Sequence, residues 1–236
     1  ALSGMVESFS FTSLAEKILS TEGGAAVQTL SDAGRAVLVR RALEELQDNV
    51  HYYHRHRRSA AFCQMAAQTI DELKSAGLSG RQLAQLAGAC GAESGKLSEL
   101  ALIFQGYETL LARSGMDPSD RLELAGARLE EALARHSLPE FLRDRAVFID
   151  EFDTFNAPKK RLLGAMLAAL PSVTVALCDD GAPLLPGDLS LFSGAKQVAA
   201  QLRQLARKNG AEVAVPQLLR KDLRHRNAPG LAAVAE

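Results

Sequence analysis

A chain of 236 residues with 47% hydrophobic content has ample apolar side chain for a buried core, which excludes disorder as the default and allows one large domain or two modest ones. Its net charge of -1 excludes a global attraction to nucleic acid or anionic lipid, so any such contact has to come from a local patch. Cys63, Cys90 and Cys178 are far apart, odd in number and in no CxxC spacing, which argues against a disulfide framework or zinc site and for a reducing cytoplasm.

The opening Ala1-Leu2-Ser3-Gly4-Met5 has no initiator methionine and no signal-peptide pattern, and it is read as an engineered boundary. No run approaches the roughly 18 to 20 apolar residues of a membrane-spanning helix, so a soluble protein without a membrane partner is expected. Residues 5–11 set Met5, Val6, Phe9 and Phe11 against Glu7, Ser8 and Ser10, which suits a short strand. A helix should follow, with Ser13 and Glu16 at capping-box spacing and Leu14, Ile18 and Leu19 on one face.

Residues 31–136 carry helical periodicity punctuated by caps and glycines. The first helix starts near Ser31 with Val37, Leu38, Leu43, Leu46 and Val50, and the second carries Phe62, Met65, Ala66, Ile70 and Leu73 and stops at Gly77. Ser79 caps a shorter helix. Leu97, Leu100, Ala101, Phe104 and Leu111 mark a long amphipathic helix ending at Gly115. Asp117-Pro118-Ser119-Asp120 restarts the chain, with Asp117 as cap, proline at the first helical position and Asp120 in the dipole-favoured first turn.

After Pro139 the period changes. Ala146-Val147-Phe148-Ile149 and Val173-Thr174-Val175-Ala176-Leu177 are compact apolar runs ending in acidic residues, and both are expected to be buried parallel strands flanking a helix over residues 158–170. A helix over residues 194–208 and a third strand over residues 212–215 complete an α/β layer. The expected division is residues 1–28 as the first strand and helix of an α/β core, residues 29–138 as a helical insert, and residues 139–236 as the remainder of the core.

Asp150-Glu151 closes the first of these strands. Two carboxylates there are how nucleotide hydrolases hold magnesium and orient water, with Asp150 in the ion's shell and Glu151 activating the water. Acidic residues also end strands and cap turns with no catalytic part, and the dipeptide by itself fits that reading too. A phosphate cradle of the form GxxxxGK[ST] is missing: Cys90-Gly91-Ala92-Glu93-Ser94-Gly95-Lys96-Leu97 has Cys for the first glycine and Leu for the hydroxyl, and Gly95 is assigned to an interhelix loop.

His51-Tyr52-Tyr53-His54-Arg55-His56-Arg57-Arg58 mixes cations with aromatics, a combination that grips phosphates and stacks on unpaired bases; Tyr53, Arg55, Arg57 and Arg58 are the candidate DNA contacts. The same residues suit a solvated helix end, and His51, His54 and His56 lack a carboxylate or cysteine to complete a metal set. Arg220-Lys221-Asp222-Leu223-Arg224-His225-Arg226 is a second basic stretch, equally compatible with an exposed terminus.

Read in succession, Ser8-Phe9-Ser10-Phe11-Thr12-Ser13-Leu14-Ala15, Gly95-Lys96-Leu97-Ser98-Glu99-Leu100 with Tyr107-Glu108, Val147-Phe148-Ile149-Asp150-Glu151-Phe152-Asp153-Thr154-Phe155, and Arg226-Asn227-Ala228-Pro229-Gly230 resemble the amino-terminal part of AddB, a subunit of the bacterial AddAB (RexAB) helicase/deoxyribonuclease. The resemblance covers most of the chain. It implies an incomplete RecA-like, superfamily 1 parallel sheet with a large all-α insertion, in a bacterial cytoplasmic protein that processes double-strand breaks with an AddA-type motor subunit on DNA. It also implies that this region is scaffold rather than motor, with no cofactor of its own. ATP, magnesium and a 4Fe-4S cluster belong to the parent complex, whose nuclease carboxylates and cluster cysteines lie downstream. Asp150 matches the family's strand-terminal aspartate, whereas Glu151 stands where many members have glycine, which leaves open a share in nucleotide chemistry. The competing expectations are therefore a non-catalytic scaffold, part of an active motor whose phosphate loop lies elsewhere, and a helical interaction protein unrelated to helicases.

Overall fold

The computed structural model describes residues 6–46, 48–91 and 94–219. The Arg220-to-Arg226 basic stretch and the Asn227-Ala228-Pro229-Gly230 motif therefore lie outside the described residues, as do Met5, Ala92 and Glu93.

The first helix, α1 (Phe11–Glu22), starts one turn earlier than expected, and residues 6–10 form no strand. Ser10 is the cap: its hydroxyl accepts from Ser13 N–H at 3.1 Å, and Ser13 Oγ accepts from Ser10 N–H at 2.8 Å. Two serines three residues apart thus do what Ser13 and Glu16 were expected to do. Phe11 becomes a buried helical residue, packed edge-on against Phe152 at 4.9 Å and Phe155 at 6.0 Å. Glu16, released from capping, pairs with Arg121 instead.

Four helices follow as the periodicity predicts: α2 (Asp32–Glu45), α3 (Ala60–Ser75), α4 (Gly80–Ala87) and α5 (Ser94–Ser114). Ser31, Ser59 and Ser79 cap the first three. Gly95 lies in the first turn of α5 and not in an interhelix loop, and the Gly95-Lys96-Leu97 stretch follows a helix rather than a strand. Their apolar faces meet in one cluster around Val39, Leu43, Ile70, Leu83, Ile103, Phe104 and Tyr107. At the end of α5, Gly115 takes a φ of 147°, and a Cβ there would stand 2.6 Å from the carbonyl oxygen of Gln28. That close approach permits the bridge between Thr29 and Met116 that ties the start of α2 to the start of α6 (Pro118–Ala134).

A second cluster joins α1, α6, β1 (Ala146–Ile149) and α7 (Ala157–Ala169) through Ile18, Leu19, Ala125, Leu129, Ile149, Leu162, Leu163 and Met166. Although α6 lies within the expected helical insert, its buried face belongs to this second cluster. The chain then forms β2 (Ser172–Val175) and α8 (Ser193–Lys208). β1 and β2 pair in parallel, Ala146 with Ser172 through Ile149 with Val175, with α7 between them in sequence. The protein is thus mixed α/β, with eight α-helices and a short two-stranded parallel sheet among the described residues.

Two expectations fail here. Among the described residues the strands are covered on one face only: Val147, Ile149, Val173 and Val175 turn toward the core, whereas Phe148 on the opposite face is 77% exposed. Residues 212–215 form no third strand. Gly210 has a φ of 75°, and Ala211 N–H donates to the carbonyl of Ala206 at 3.0 Å, so the chain folds back on the end of α8 before running on unpaired.

A buried polar joint connects the two clusters. Lys74 on α3 donates to Asp117 Oδ2 at 2.7 Å and also pairs with Asp120, Tyr107 OH donates to Asp117 at 3.4 Å, and Asp117 Oδ1 accepts from Asp120 N–H at 2.9 Å. Beside it, Arg35 pairs with Asp32 and Asp71, and Ser119 Oγ donates to Asp71 at 3.1 Å. Burial, and then the charge of Asp117, raise the Asp120 carboxyl above its ordinary range against the pull of Lys74, and burial raises Glu108.

Between the ordinary carboxylate value of about 4 and the raised value, the folded state binds more protons than the unfolded one, so stability falls as pH rises through that window. The urea midpoint of the wild type should drop across it, and Asp120→Asn should remove part of that slope. An identical slope in the variant would refute the assignment. Glu16, lowered by its hydrogen bond to Arg121, acts below this window and in the opposite sense.

Candidate nucleic-acid interface

The segment from Asp48 to Ser59 links α2 to α3, and its conformation is fixed from both sides. Val50 is buried in the first cluster, and Asn49 N–H donates to the carbonyl of Leu46 at 2.8 Å. The backbone beyond Val50 is held by Glu99, a buried carboxylate on α5. Its Oε1 accepts from His51 N–H at 2.8 Å and Tyr52 N–H at 3.1 Å, and its Oε2 accepts from Tyr52 N–H at 2.8 Å and Tyr53 N–H at 3.3 Å. Three consecutive donors thus share one carboxylate, the arrangement in which main-chain amides favour an anion.

From there the chain makes a 3-10 turn, His54–His56. Phe62, in the first turn of α3, stacks with Tyr53 and with His56, each at 5.4 Å. The Arg57 guanidinium lies against the ring nitrogens of His54 at 2.6 and 3.1 Å. These contacts place Tyr53 and Arg57 half inside the fold. Arg55 and Arg58 are exposed and make no ion pair among the described residues. Tyr52 is 57% exposed, with its ring edge over Gly95. His51, His54 and Arg55, with Asp48 and Val50, line an open hollow of about 380 Å³. The segment can therefore offer two guanidiniums and a phenol ring on an outward surface, which suits phosphates and unstacked bases.

Asp150 and Glu151 lie elsewhere, at the carboxyl end of β1, and both are exposed. Asp150 Oδ1 accepts from Glu151 N–H at 2.9 Å, and Glu151 has a φ of 63°. The chain leaves the strand in a tight turn. Beyond it Phe152 and Phe155 fold onto Phe11, and Lys159 places its ammonium 5.2 Å from the centre of the Phe152 ring and 5.5 Å from that of Phe11. In the loop beyond β2, Asp180 is held by its bond from Ala182 N–H and by the buried Lys196, which keep its carboxyl below the usual range.

The left-handed turn carries a prediction. A non-glycine residue there costs about 1–2 kcal/mol, and glycine's extra unfolded-state freedom returns about 0.5–1 kcal/mol of that. Glu151→Gly should therefore stabilise the fold by about 0.5–1 kcal/mol in urea unfolding, and a lower midpoint would show that Glu151 makes a contact worth more than the strain.

Among the described residues no three His, Cys, Asp or Glu side chains gather to hold a metal ion. Cys63 is buried, while Cys90 and Cys178 are exposed and unpaired with one another. These side chains do not fit an iron-sulfur cluster. Among the described residues no strand-to-helix phosphate loop accompanies Asp150 and Glu151. No helix among the described residues is long and apolar enough to cross a membrane.

Glu99 was missed in the sequence. It had a signal: it occupies the apolar face of α5, in step with Ile103, Tyr107 and Leu110, where a carboxylate needs partners.

A family model described as "ADDB, N-terminal" matches residues 2–235. Among similar proteins, the B-type subunit of the ATP-dependent helicase/deoxyribonuclease of Desulforudis audaxviator is 33% identical over 240 residues, covering 98% of this chain and 20% of that protein. The proteins of the same name from Moorella thermoacetica, at 32% over 239 residues, and Symbiobacterium thermophilum, at 31% over 242 residues, cover 96% and 95% of this chain and 20% of their own length. The chain spans about a fifth of these relatives.

Proposed function

Since the chain belongs to the AddB amino-terminal family, we propose that it is a non-catalytic, helicase-like region of a helicase/deoxyribonuclease subunit, serving as DNA-binding surface and subunit scaffold in the processing of double-strand breaks for homologous recombination. In this reading the macromolecular partners are DNA and an AddA-type motor subunit, and the setting is the bacterial cytoplasm. β1, α7 and β2 are read as part of a RecA-like sheet. Residues 29–138 are its helical insert, with α6 returning the chain to the core, and residues 1–28 and 139–236 are the core around it.

The observation that carries the reading is the outward placement of Arg55, Arg58 and the Tyr52 ring on a backbone that is itself anchored. A single strand laid over this surface gains charge-assisted bonds from its phosphates to the guanidiniums and stacking of a base on the phenol. ATP, magnesium and the 4Fe-4S cluster are assigned to the complete complex.

The test is fluorescence anisotropy of single-stranded and forked DNA with this chain across a salt series. Binding that weakens linearly in log salt supports the reading. No binding at low salt removes the DNA contact and leaves the scaffold role alone.

A second reading is favoured by Asp150 and Glu151 at the carboxyl end of a parallel strand, where nucleotide sites gather. There the region belongs to an active nucleotide-hydrolysing motor, with Asp150 near a magnesium ion and Glu151 activating water. Nucleotide hydrolysis by the full-length complex that is unchanged by Glu151→Gln would eliminate it.

A further inference from the structure

The Gly95-to-Leu100 stretch is prominent in the sequence, and its departure from GxxxxGK[ST] and its place after a helix argue against a phosphate cradle. The structure gives it other work. Gly95 and Glu99 stand one turn apart on α5 and face the basic segment together: a Cβ on Gly95 would lie 3.1 Å from the Tyr52 ring, and Glu99 gathers the amides of His51, Tyr52 and Tyr53. These amides form the kind of concavity that would otherwise take an external anion. The chain's own carboxylate fills it, which leaves a phosphate to the exposed Arg55 and Arg58.

We propose that Gly95 and Glu99 form the positioning element of the DNA contact: the carboxylate sets the backbone that turns Arg55, Arg58 and Tyr52 outward, and the glycine leaves room for the ring. This inference rests on the reading of residues 51–58 as a DNA contact. Glu99 touches no nucleic acid; it acts through the main chain it holds.

The sign of one substitution separates positioning from simple electrostatics. Glu99→Gln removes a negative charge beside a cationic surface, which by Coulomb attraction alone strengthens DNA binding. Positioning predicts the reverse. An amide offers one acceptor oxygen in place of two and turns an NH2 toward backbone donors, so the segment loses its order and has to regain it on binding.

The experiment is anisotropy of a labelled oligothymidine with the wild-type chain, Glu99→Gln and Glu99→Asp, together with amide hydrogen exchange at residues 51–53. Glu99→Gln should bind about tenfold more weakly, the scale of ordering costs moved onto the binding step, and should lose protection at these amides. Glu99→Asp, which keeps charge and both acceptors, should fall between the two, and it carries the comparison if the glutamine variant fails to fold. Wild-type binding with Glu99→Gln equal or tighter and the amides still protected overturns this inference alone. Absence of wild-type binding overturns the DNA reading and the inference with it.

Discussion

Asp117→Ala is expected to lower the unfolding free energy by about 3–5 kcal/mol, the range for breaking a buried ion pair from one side. The side chain is almost fully buried and has three jobs at once: it caps α6 through Asp120 N–H, accepts from Lys74 Nζ at 2.7 Å, and accepts from Tyr107 OH. Loss of the cap alone costs about 0.5–2 kcal/mol. The remainder comes from Lys74, whose side chain is only 12% exposed and would be left with Asp120 as its single carboxylate partner in the joint.

Urea unfolding measures the total, and a double-mutant cycle with Lys74→Met apportions it. Once the ammonium is gone, the cost of Asp117→Ala should shrink by about 1 kcal/mol or more. A loss below about 1 kcal/mol in the single variant would mean that water reaches the joint and solvates the ammonium. Because the joint holds the α2–α5 cluster against the α1, α6 and α7 cluster, this variant should also loosen one against the other. Early proteolytic cutting near Gly115 would report that.

The joint replacement of Arg55, Arg57 and Arg58 by alanine should weaken single-strand binding on the order of 100-fold at about 0.1 M salt. Each phosphate contact to a single strand contributes about 0.7 to the slope of log affinity against log salt, so the slope falls by about 1.4 for the two outward guanidiniums and by about 2 if Arg57 also leaves His54 for a phosphate. The three positions are unequal in structure. Arg57 is engaged with His54 and half-buried, while Arg55 and Arg58 are exposed. Arg55→Ala with Arg58→Ala should therefore take most of the slope. Weaker binding with an unchanged slope would point instead to lost packing around Phe62, and unchanged binding would remove the surface from consideration.

What was legible in the sequence acts over a few residues. Ser31, Ser79 and Asp117 announce their helices because a side-chain oxygen reaches a backbone N–H three positions on, and Pro118 fits the first turn because it lacks the donor a helix start leaves idle. Gly77 and Gly115 end helices by adopting positive φ. The same local rule misplaced the start of α1, since Ser10 with Ser13 offers as good a capping box as Ser13 with Glu16, and only the burial of Phe11 against Phe152 and Phe155 selects between them.

The sequence by itself determined the family, through the order of several weak motifs, together with the helical run and the two parallel strands. Tertiary structure alone decided which faces and charges are used. Ala146-Val147-Phe148-Ile149 reads as fully buried because an apolar run does not say whether a second layer covers it, and Phe148 lies open. Glu99 finds its amide partners 46 to 48 residues away. Asp117 meets Lys74 across 43 residues. Glu151 takes a left-handed turn that no dipeptide rule assigns to glutamate. Capping and periodicity are fixed by neighbours along the chain, whereas a buried carboxylate is fixed by whatever donors the packed helices bring to it, and that choice exists only once they have packed.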